Sequence, residues 1–362
     1  MIRLRPTIHA VALELTRYCN QKCDYCYNAW RDEPQAGGAV DDCWSERVDR
    51  LLDTFAIDHF TLTGGEPFAY RGVFSIIERI RARGVGVQMI SNGGLIDDAI
   101  ARRLAPLGVR FIQVTLNGPE RALHEEHVGP DCFDKTLEGI RALRRAGITV
   151  VGCIVLTRKN AAHVGAILAR FRELDVRDIA LSRFSPAGYG SQQVADLLPS
   201  IDDVTRALEQ AELVAARGEQ SIQSTMPLPP CAIEVERFPS IGMGVCAVGT
   251  TSQEFAVGPD GRVRNCTLHD AVLANAGDIA DPETDLVELL RHDDVRRYRE
   301  RAVPAFCRGC QHEHTCNGGC GAAARWVFGA LGASVDPFVA QHTDDAFAGR
   351  LGKARRRLAI AH

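Results

Sequence analysis

Short apolar runs alternate with longer amphipathic stretches over the first 200 residues. The runs predict strands at Val11–Thr16, His59–Thr63, Val85–Ser91, Arg110–Leu116, Thr149–Leu156 and Asp178–Arg183. Between them, apolar side chains recur every three to four positions. That period predicts helices over Ser45–Ala56, Val73–Arg83, Asp97–Leu107, Phe133–Ala146 and Ala161–Leu174. Repeated β-α units in this order imply an α/β fold with a parallel sheet and right-handed crossovers. Open or closed, such a sheet presents its ligand site at the carboxyl ends of its strands.

The pattern changes after residue 200. A further helix is expected over Asp202–Arg217, and the polar, proline-rich Gln220–Pro230 reads as a linker. Beyond it, Glu254–Val257 and Val263–Asn265 flank Pro259-Asp-Gly261 and predict a hairpin. The charge-dense Arg291–Arg301 and the basic Lys353–Arg357 read as solvated helical faces. The expected organisation is a core over residues 1–220, a small cysteine-rich unit over 221–340 and a C-terminal helix over 341–362.

Composition narrows the setting. With 362 residues, 46% hydrophobic and 24% charged, the chain can bury a large core. A net charge of -4 gives no electrostatic reason to expect nucleic acid as a partner. No secretory h-region and no 18-residue apolar run occurs, so neither export nor a membrane is expected. Thirteen cysteines in such a chain point away from disulfides. They point to metal sites in the reducing cytoplasm.

Three of those cysteines, Cys19, Cys23 and Cys26, stand as Cys-x3-Cys-x2-Cys directly after the first strand. Such a loop can hold three corners of a [4Fe-4S] cubane and leave the fourth iron open, whereas an electron-transfer cluster uses four thiolates. The loop, with Tyr25 before its third cysteine, resembles the signature of the radical S-adenosylmethionine (SAM) superfamily. The resemblance implies a partial (β/α)6 barrel, a SAM-binding cluster and hydrogen abstraction by a 5′-deoxyadenosyl radical.

Other strand ends carry matching motifs. Thr63-Gly64-Gly65-Glu66-Pro67 follows the second strand and is similar to the stretch that binds the amino group of SAM. Ser91-Asn92-Gly-Gly and Thr115-Leu-Asn117-Gly resemble the ribose- and carboxylate-contacting turns, with Asn117 where relatives often carry Asp. Arg183-Phe-Ser-Pro-Ala-Gly188 is similar to an Arg-x-x-Pro-x-Gly turn, whose arginine would pair with SAM or a substrate carboxylate; a surface ion pair is the competing reading.

The C-terminal cysteines extend the likeness. Cys246-x14-Gly261-x4-Cys266 precedes Cys307-x2-Cys310-x5-Cys316-x3-Cys320. Zinc competes for such pairs, but the hairpin ahead of the quartet resembles the SPASM extension, which houses two auxiliary iron-sulfur clusters. The full pattern ends on one more cysteine, and Val339 stands at its place here. The family's wiring implies one cluster on Cys246, Cys266 and Cys320, with Cys231 as the nearby fourth candidate. A second would use Cys307, Cys310 and Cys316, with its last corner open or filled by Asp336, His342 or another side chain. Recruitment of Cys231 to this second group is the alternative, and a single auxiliary cluster is another. Cys43, Cys132 and Cys153 read as small buried hydrophobes.

The function expected is therefore that of an oxidoreductase. It would cleave SAM reductively and dehydrogenate or cross-link a peptide, auxiliary clusters taking up the substrate's electron. A small molecule of antibiotic or cofactor biosynthesis is the alternative substrate. The implied partners are a flavodoxin- or ferredoxin-type electron donor and a separate leader-peptide-binding protein. Ten residues ahead of the first strand leave no room for a leader-recognition domain, which supports the small-molecule alternative. The residue types single out no catalytic acid or base.

Overall fold

The computed structural model describes residues 5–28, 31, 43–273 and 278–361. Ten strands form a single sheet: β1 Thr7–Glu14, β2 Ala56–Thr63, β3 Gly86–Ser91, β4 Ile112–Thr115, β5 Val150–Leu156, β6 Asp178–Arg183, β7 Ser221–Ser224, β8 Ile241–Met243, β9 Glu254–Val257 and β10 Val263–Arg264. Their order is β10-β9-β1-β2-β3-β4-β5-β6-β7-β8. Every pairing is parallel except that of β9 with β10. Sequential neighbours joined by helices give the parallel α/β core that the alternating pattern implied, with the barrel-like form that the resemblance implied.

The strands are apolar because both faces of the sheet are covered. Phe60, Leu62, Val87, Met89 and Val114 are wholly buried in the same core that takes Ile76, Ile77 and Ile80 from the helix Val73–Ala82. The helix Phe133–Arg145 contributes Phe133, Leu137, Ile140 and Leu143, the spacing of one face. Asp97 caps the helix Asp98–Leu104 through Ile100 N, and a Ser200–Asp203 capping box opens Ile201–Ala215.

Three features depart from the sequence reading. Gln220–Pro230 is not simply a linker, since Ser221–Ser224 within it is β7, in register with β6. Only alternate residues of β7 are buried, so its apolar signal is weak. The hairpin is not detached from the core, because β9 runs parallel to β1, pairing Ala10 with Glu254 and Leu13 with Val257. The buried carboxylate of Glu14 bonds Arg264 across this junction. Finally, a helix at Arg121–Val128 stands where no element was expected. The last helix is Asp345–Ala361.

Candidate functional site

Cys19, Cys23 and Cys26 lie on the loop that leaves β1, at the carboxyl edge of the sheet. Main-chain bonds from three sides hold this loop. Gly65 N donates to Thr16 O at 2.7 Å and Glu66 N to Tyr18 O at 2.8 Å. Lys22 N and Asp24 N donate to Val128 O and His127 O, so the unexpected helix supports the cysteines directly. Gly190 N, beyond β6, donates to Cys26 O at 2.8 Å.

The double glycine is required by this closeness. Gly64 has φ of 129°, and a Cβ on Gly65 would lie 2.0 Å from Tyr18 O. Asn28 Nδ2 donates to Gly64 O at 2.7 Å, and the Tyr27 hydroxyl lies 3.1 Å from Thr63 Oγ1. Sequence reasoning passed over both residues, and their position just after the third cysteine was the available signal.

One cleft is lined by the three cysteines together with Tyr25, Gly64, Gly65, Ser91, Asn92 and Thr115. Asn92 Nδ2 approaches Cys19 Sγ at 3.6 Å and bonds Asn20 Oδ1 at 2.8 Å. Burial pushes the Cys19 thiol up to about 11, and it pushes Cys23 well above the usual thiol range. Raised thiols such as these keep their protons until a cationic cluster core displaces them on binding.

Other candidates lie beneath or away from the cleft. Glu66 is fully buried and accepts from Ser91 Oγ at 2.8 Å, Asn92 N at 2.9 Å and Phe68 N at 3.2 Å. It thereby ties the turn after β2 to the turn after β3. Burial raises its carboxyl to about 7. Pro67 starts the short 3-10 turn that follows. Asn117 is fully buried, its Oδ1 accepting from Val155 N at 2.9 Å and its N–H donating to His124 Nδ1. Its carboxamide oxygen thus joins β4 to β5, while its Nδ2 has no partner among the described residues.

The surface reading of Arg183 is corrected. It does not pair at the surface but with Asp336 at 2.5 Å, the two side chains being 1% and 0% exposed. Arg183 also donates to Pro227 O and Phe184 O. Asp336 accepts in addition from Cys320 N and Phe338 N, both at 2.9 Å. A carboxylate so engaged is not a free cluster ligand, and His342 is exposed.

The C-terminal cysteines fall into two groups. Cys246 and Cys266 pack around Val248, Tyr298 and Ala302, and Cys266 also packs against Cys320 and Ala323. Burial drives Cys266 and Cys320 up to about 12. Cys307, Cys310 and Cys316 line a separate hollow, and Cys231 lines it with them. The assignment of Cys231 to the first group is overturned. The turn at Pro229–Ile233, held by Ala232 N and Ile233 N on Pro229 O, delivers Cys231 to the other side. Val339, 2% exposed, lies in the same hollow.

Among the described residues, no three or more His, Cys, Asp or Glu side chains converge tightly enough for one metal ion. Zinc needs sulfurs about 2.3 Å from a single point, whereas a cubane spreads its thiolates over four corners. Cys132 and Cys153 are buried, and Cys43 is partly exposed at the start of its helix.

The chain is 26% identical to mycofactocin maturase MftC of Mycobacterium tuberculosis over 345 residues, covering 92% of this chain and 84% of that one. It is 25% identical to a probable GTP 3′,8-cyclase of Sulfurisphaera tokodaii over 80% of this chain and 88% of the relative. It is also 25% identical to the PqqA peptide cyclase of Gluconobacter oxydans over 90% and 88%. The solved structure of native anSMEcpe with bound AdoMet and Cp18Cys peptide shares the fold, with TM-score 0.69 and 18% identity over 98% of this chain and 100% of that one. Residues 13–171, which carry the cysteine loop and the turns around it, match the Radical SAM superfamily, and the chain is an enzyme that carries a domain of that superfamily.

Proposed function

We propose that the protein is a SPASM-type radical SAM oxidoreductase that modifies a peptide. The observation that carries this reading is the cleft in which Cys19, Cys23 and Cys26 meet the Gly64-Gly65, Ser91-Asn92 and Thr115 turns at the carboxyl edge of the sheet. When bound there, the [4Fe-4S] cluster and SAM supply a 5′-deoxyadenosyl radical, and auxiliary clusters supply an electron sink, which together make a two-electron oxidation of a substrate C–H bond.

The chain's own residues hold and orient. Cys19, Cys23 and Cys26 are the cluster ligands, and Tyr25 packs against the core behind them. Gly64 and Gly65 let the backbone approach the ligand, Pro67 fixes the turn that follows, and Ser91, Asn92 and Thr115 line the SAM side. Glu66 acts indirectly by fixing the Ser91-Asn92 turn. Cys231, Cys307, Cys310 and Cys316 form a four-thiolate auxiliary site, and Cys246, Cys266 and Cys320 a three-thiolate one.

A peptide substrate is supported by the likeness to the PqqA peptide cyclase over nine-tenths of the chain. The likeness to a GTP cyclase favours the second reading, a small-molecule substrate. A flavodoxin- or ferredoxin-type donor and a separate leader-binding protein fit the peptide reading. None of the described helices is long and apolar enough to cross a membrane, and a cytoplasmic location suits oxygen-sensitive clusters.

The test is anaerobic reconstitution and reduction with SAM, followed by chromatography for 5′-deoxyadenosine. Wild type forms it, and the Cys19→Ala, Cys23→Ala, Cys26→Ala triple variant does not; equal formation in both refutes the assignment. Product masses from a short reading frame beside the gene, set against GTP, separate the substrate readings.

A further inference from the structure

The C-terminal helix Asp345–Ala361 lies against the short helix Val194–Leu197. Phe347 and Leu351 are buried on its inner face, and Arg355 donates to Ala195 O at 3.1 Å and to Leu198 O at 2.9 Å. Beside that face stand Arg350, Lys353 and Arg357, three and four residues apart, which is the spacing of one helical stripe. All three are exposed, and with Gln192, Gln193 and Asp196 they line an open hollow of about 480 Å³.

The hollow is unbalanced in charge. Asp196 is the one acid among the described residues that line it, and Lys159 Nζ already neutralises it at 2.7 Å. Arg350, Lys353 and Arg357 have no carboxylate partner among the described residues. Arg158, whose N donates to Leu197 O at 2.9 Å, sets a further exposed cation beside the short helix. Like charges on one stripe repel each other, so an anionic surface laid over them relieves the repulsion.

One wall of the hollow continues into the segment that backs the cysteine loop. Gly188–Gln193 packs so closely on that loop that a Cβ on Gly188 would lie 2.0 Å from Tyr27 O, and one on Gly190 3.1 Å from Tyr25 O. Gly190 N donates to Cys26 O at 2.8 Å. Gln192 is two residues further on, which at about 3.3–3.6 Å per residue keeps it within roughly 7 Å of Gly190. A partner seated in the hollow thus comes close to Cys26 without entering the cleft that SAM and the substrate need.

We infer that the stripe of Arg350, Lys353 and Arg357, with Gln192 and Gln193, is the docking surface for an acidic one-electron carrier protein such as a flavodoxin. The inference rests on the radical SAM reading of the cleft. Reductive cleavage of SAM consumes one electron, which has to come from outside the chain. A flavodoxin hydroquinone gives up that electron and becomes its semiquinone, and the sulfonium takes it up as the C5′–S bond breaks to methionine and the 5′-deoxyadenosyl radical. Charge complementarity raises the rate and fixes the orientation of encounter more than it raises affinity, which suits a carrier that must leave again.

The test uses the anaerobically reconstituted full chain with a purified flavodoxin and, in parallel, an acidic ferredoxin. Combining Arg350→Gln, Lys353→Gln and Arg357→Gln should weaken binding of the carrier about tenfold, or 1.4 kcal/mol, mainly through slower association. Wild-type binding should weaken as ionic strength rises from about 0.01 to 0.15 M, where the Debye length shrinks from ~30 to ~8 Å, and the triple variant should lose most of that dependence. Formation of 5′-deoxyadenosine driven by sub-saturating carrier should fall about tenfold in the variant, while formation driven by dithionite stays at the wild-type rate. If dithionite-driven turnover falls too, Gln192→Glu decides the matter, since it leaves the helix untouched and should also repel the carrier. Wild type that forms no 5′-deoxyadenosine with dithionite refutes the SAM-cleaving reading, whereas the binding measurement judges the docking surface on its own. Binding of neither carrier, binding unchanged in the triple variant, or binding of polyglutamate in place of both carriers overturns the inference.

Discussion

Removing the charge of Asp336 should loosen the junction between the sheet and both C-terminal cysteine groups. Asp336 neutralises Arg183 where neither side chain reaches water. It also fixes Cys320 N and Phe338 N, while Arg183 holds Pro227 O, four residues before Cys231. Asp336→Asn keeps an oxygen for Phe338 N but leaves the guanidinium unpaired, with its Nε already lacking a partner among the described residues. Breaking such a pair costs about 3–5 kcal/mol. At 1.4 kcal/mol per factor of ten, that is roughly a hundred- to four-thousand-fold rise in amide exchange wherever the junction opens. The readout is anaerobic hydrogen exchange with mass spectrometry on peptides spanning β6 and Pro337–Thr343. Arg183→Met should loosen the same peptides. The double variant should cost about 2 kcal/mol less than the sum of the singles, as groups in direct contact do. Changes below tenfold in the single variants, or simple additivity, would refute the claim that this pair holds the junction.

Three further outcomes follow from the site. Gly65→Ala drives a methyl into the Tyr18 carbonyl, 2.0 Å away; SAM cleavage should fall about a hundredfold, the cost of an ångström's misplacement, with far-UV circular dichroism unchanged, and near-normal turnover would sink the close-approach argument. Cys231→Ala should open one iron of the group on Cys307, Cys310 and Cys316, seen by Mössbauer spectroscopy as a distinct iron that takes up cyanide. Adding Val339→Cys should close it again, whereas an unchanged spectrum in Cys231→Ala would return that cysteine to the other group. Burial raises Glu66 from an ordinary value of 4.5 to about 7. Between those values the folded state holds a proton that the unfolded state lacks, so this group makes stability fall as pH rises from 4.5 to 7. Glu66→Gln should flatten that part of an unfolding-versus-pH curve, and an unaltered slope would show that Glu66 is ionised throughout.

Much of this was already legible along the chain. The sheet's apolar runs and the helices' three-to-four spacing report local burial, which each segment records in its own sequence. The loop of Cys19, Cys23 and Cys26 was legible because its ligands are neighbours in the chain, so spacing and geometry are nearly one property. Val11–Thr16 and Thr7–Glu14 differ because strand ends are set by partners such as Ala56 and Ile57 rather than by composition.

What only the tertiary structure decided concerns contacts between distant segments. Cys231 lies 76 residues before Cys307, and which group it joins depends on the turn at Pro229 and on the path of the chain around Val339. Arg183 and Asp336 are 153 residues apart, and only their shared burial turns two polar residues into a pair. β7 was hidden because Ser221–Ser224 owes its strand form to hydrogen bonds with β6 and β8, not to its own polar side chains. A one-dimensional pattern shows which residues shun water. It does not show which buried groups meet, because that is fixed by the packing of the whole chain.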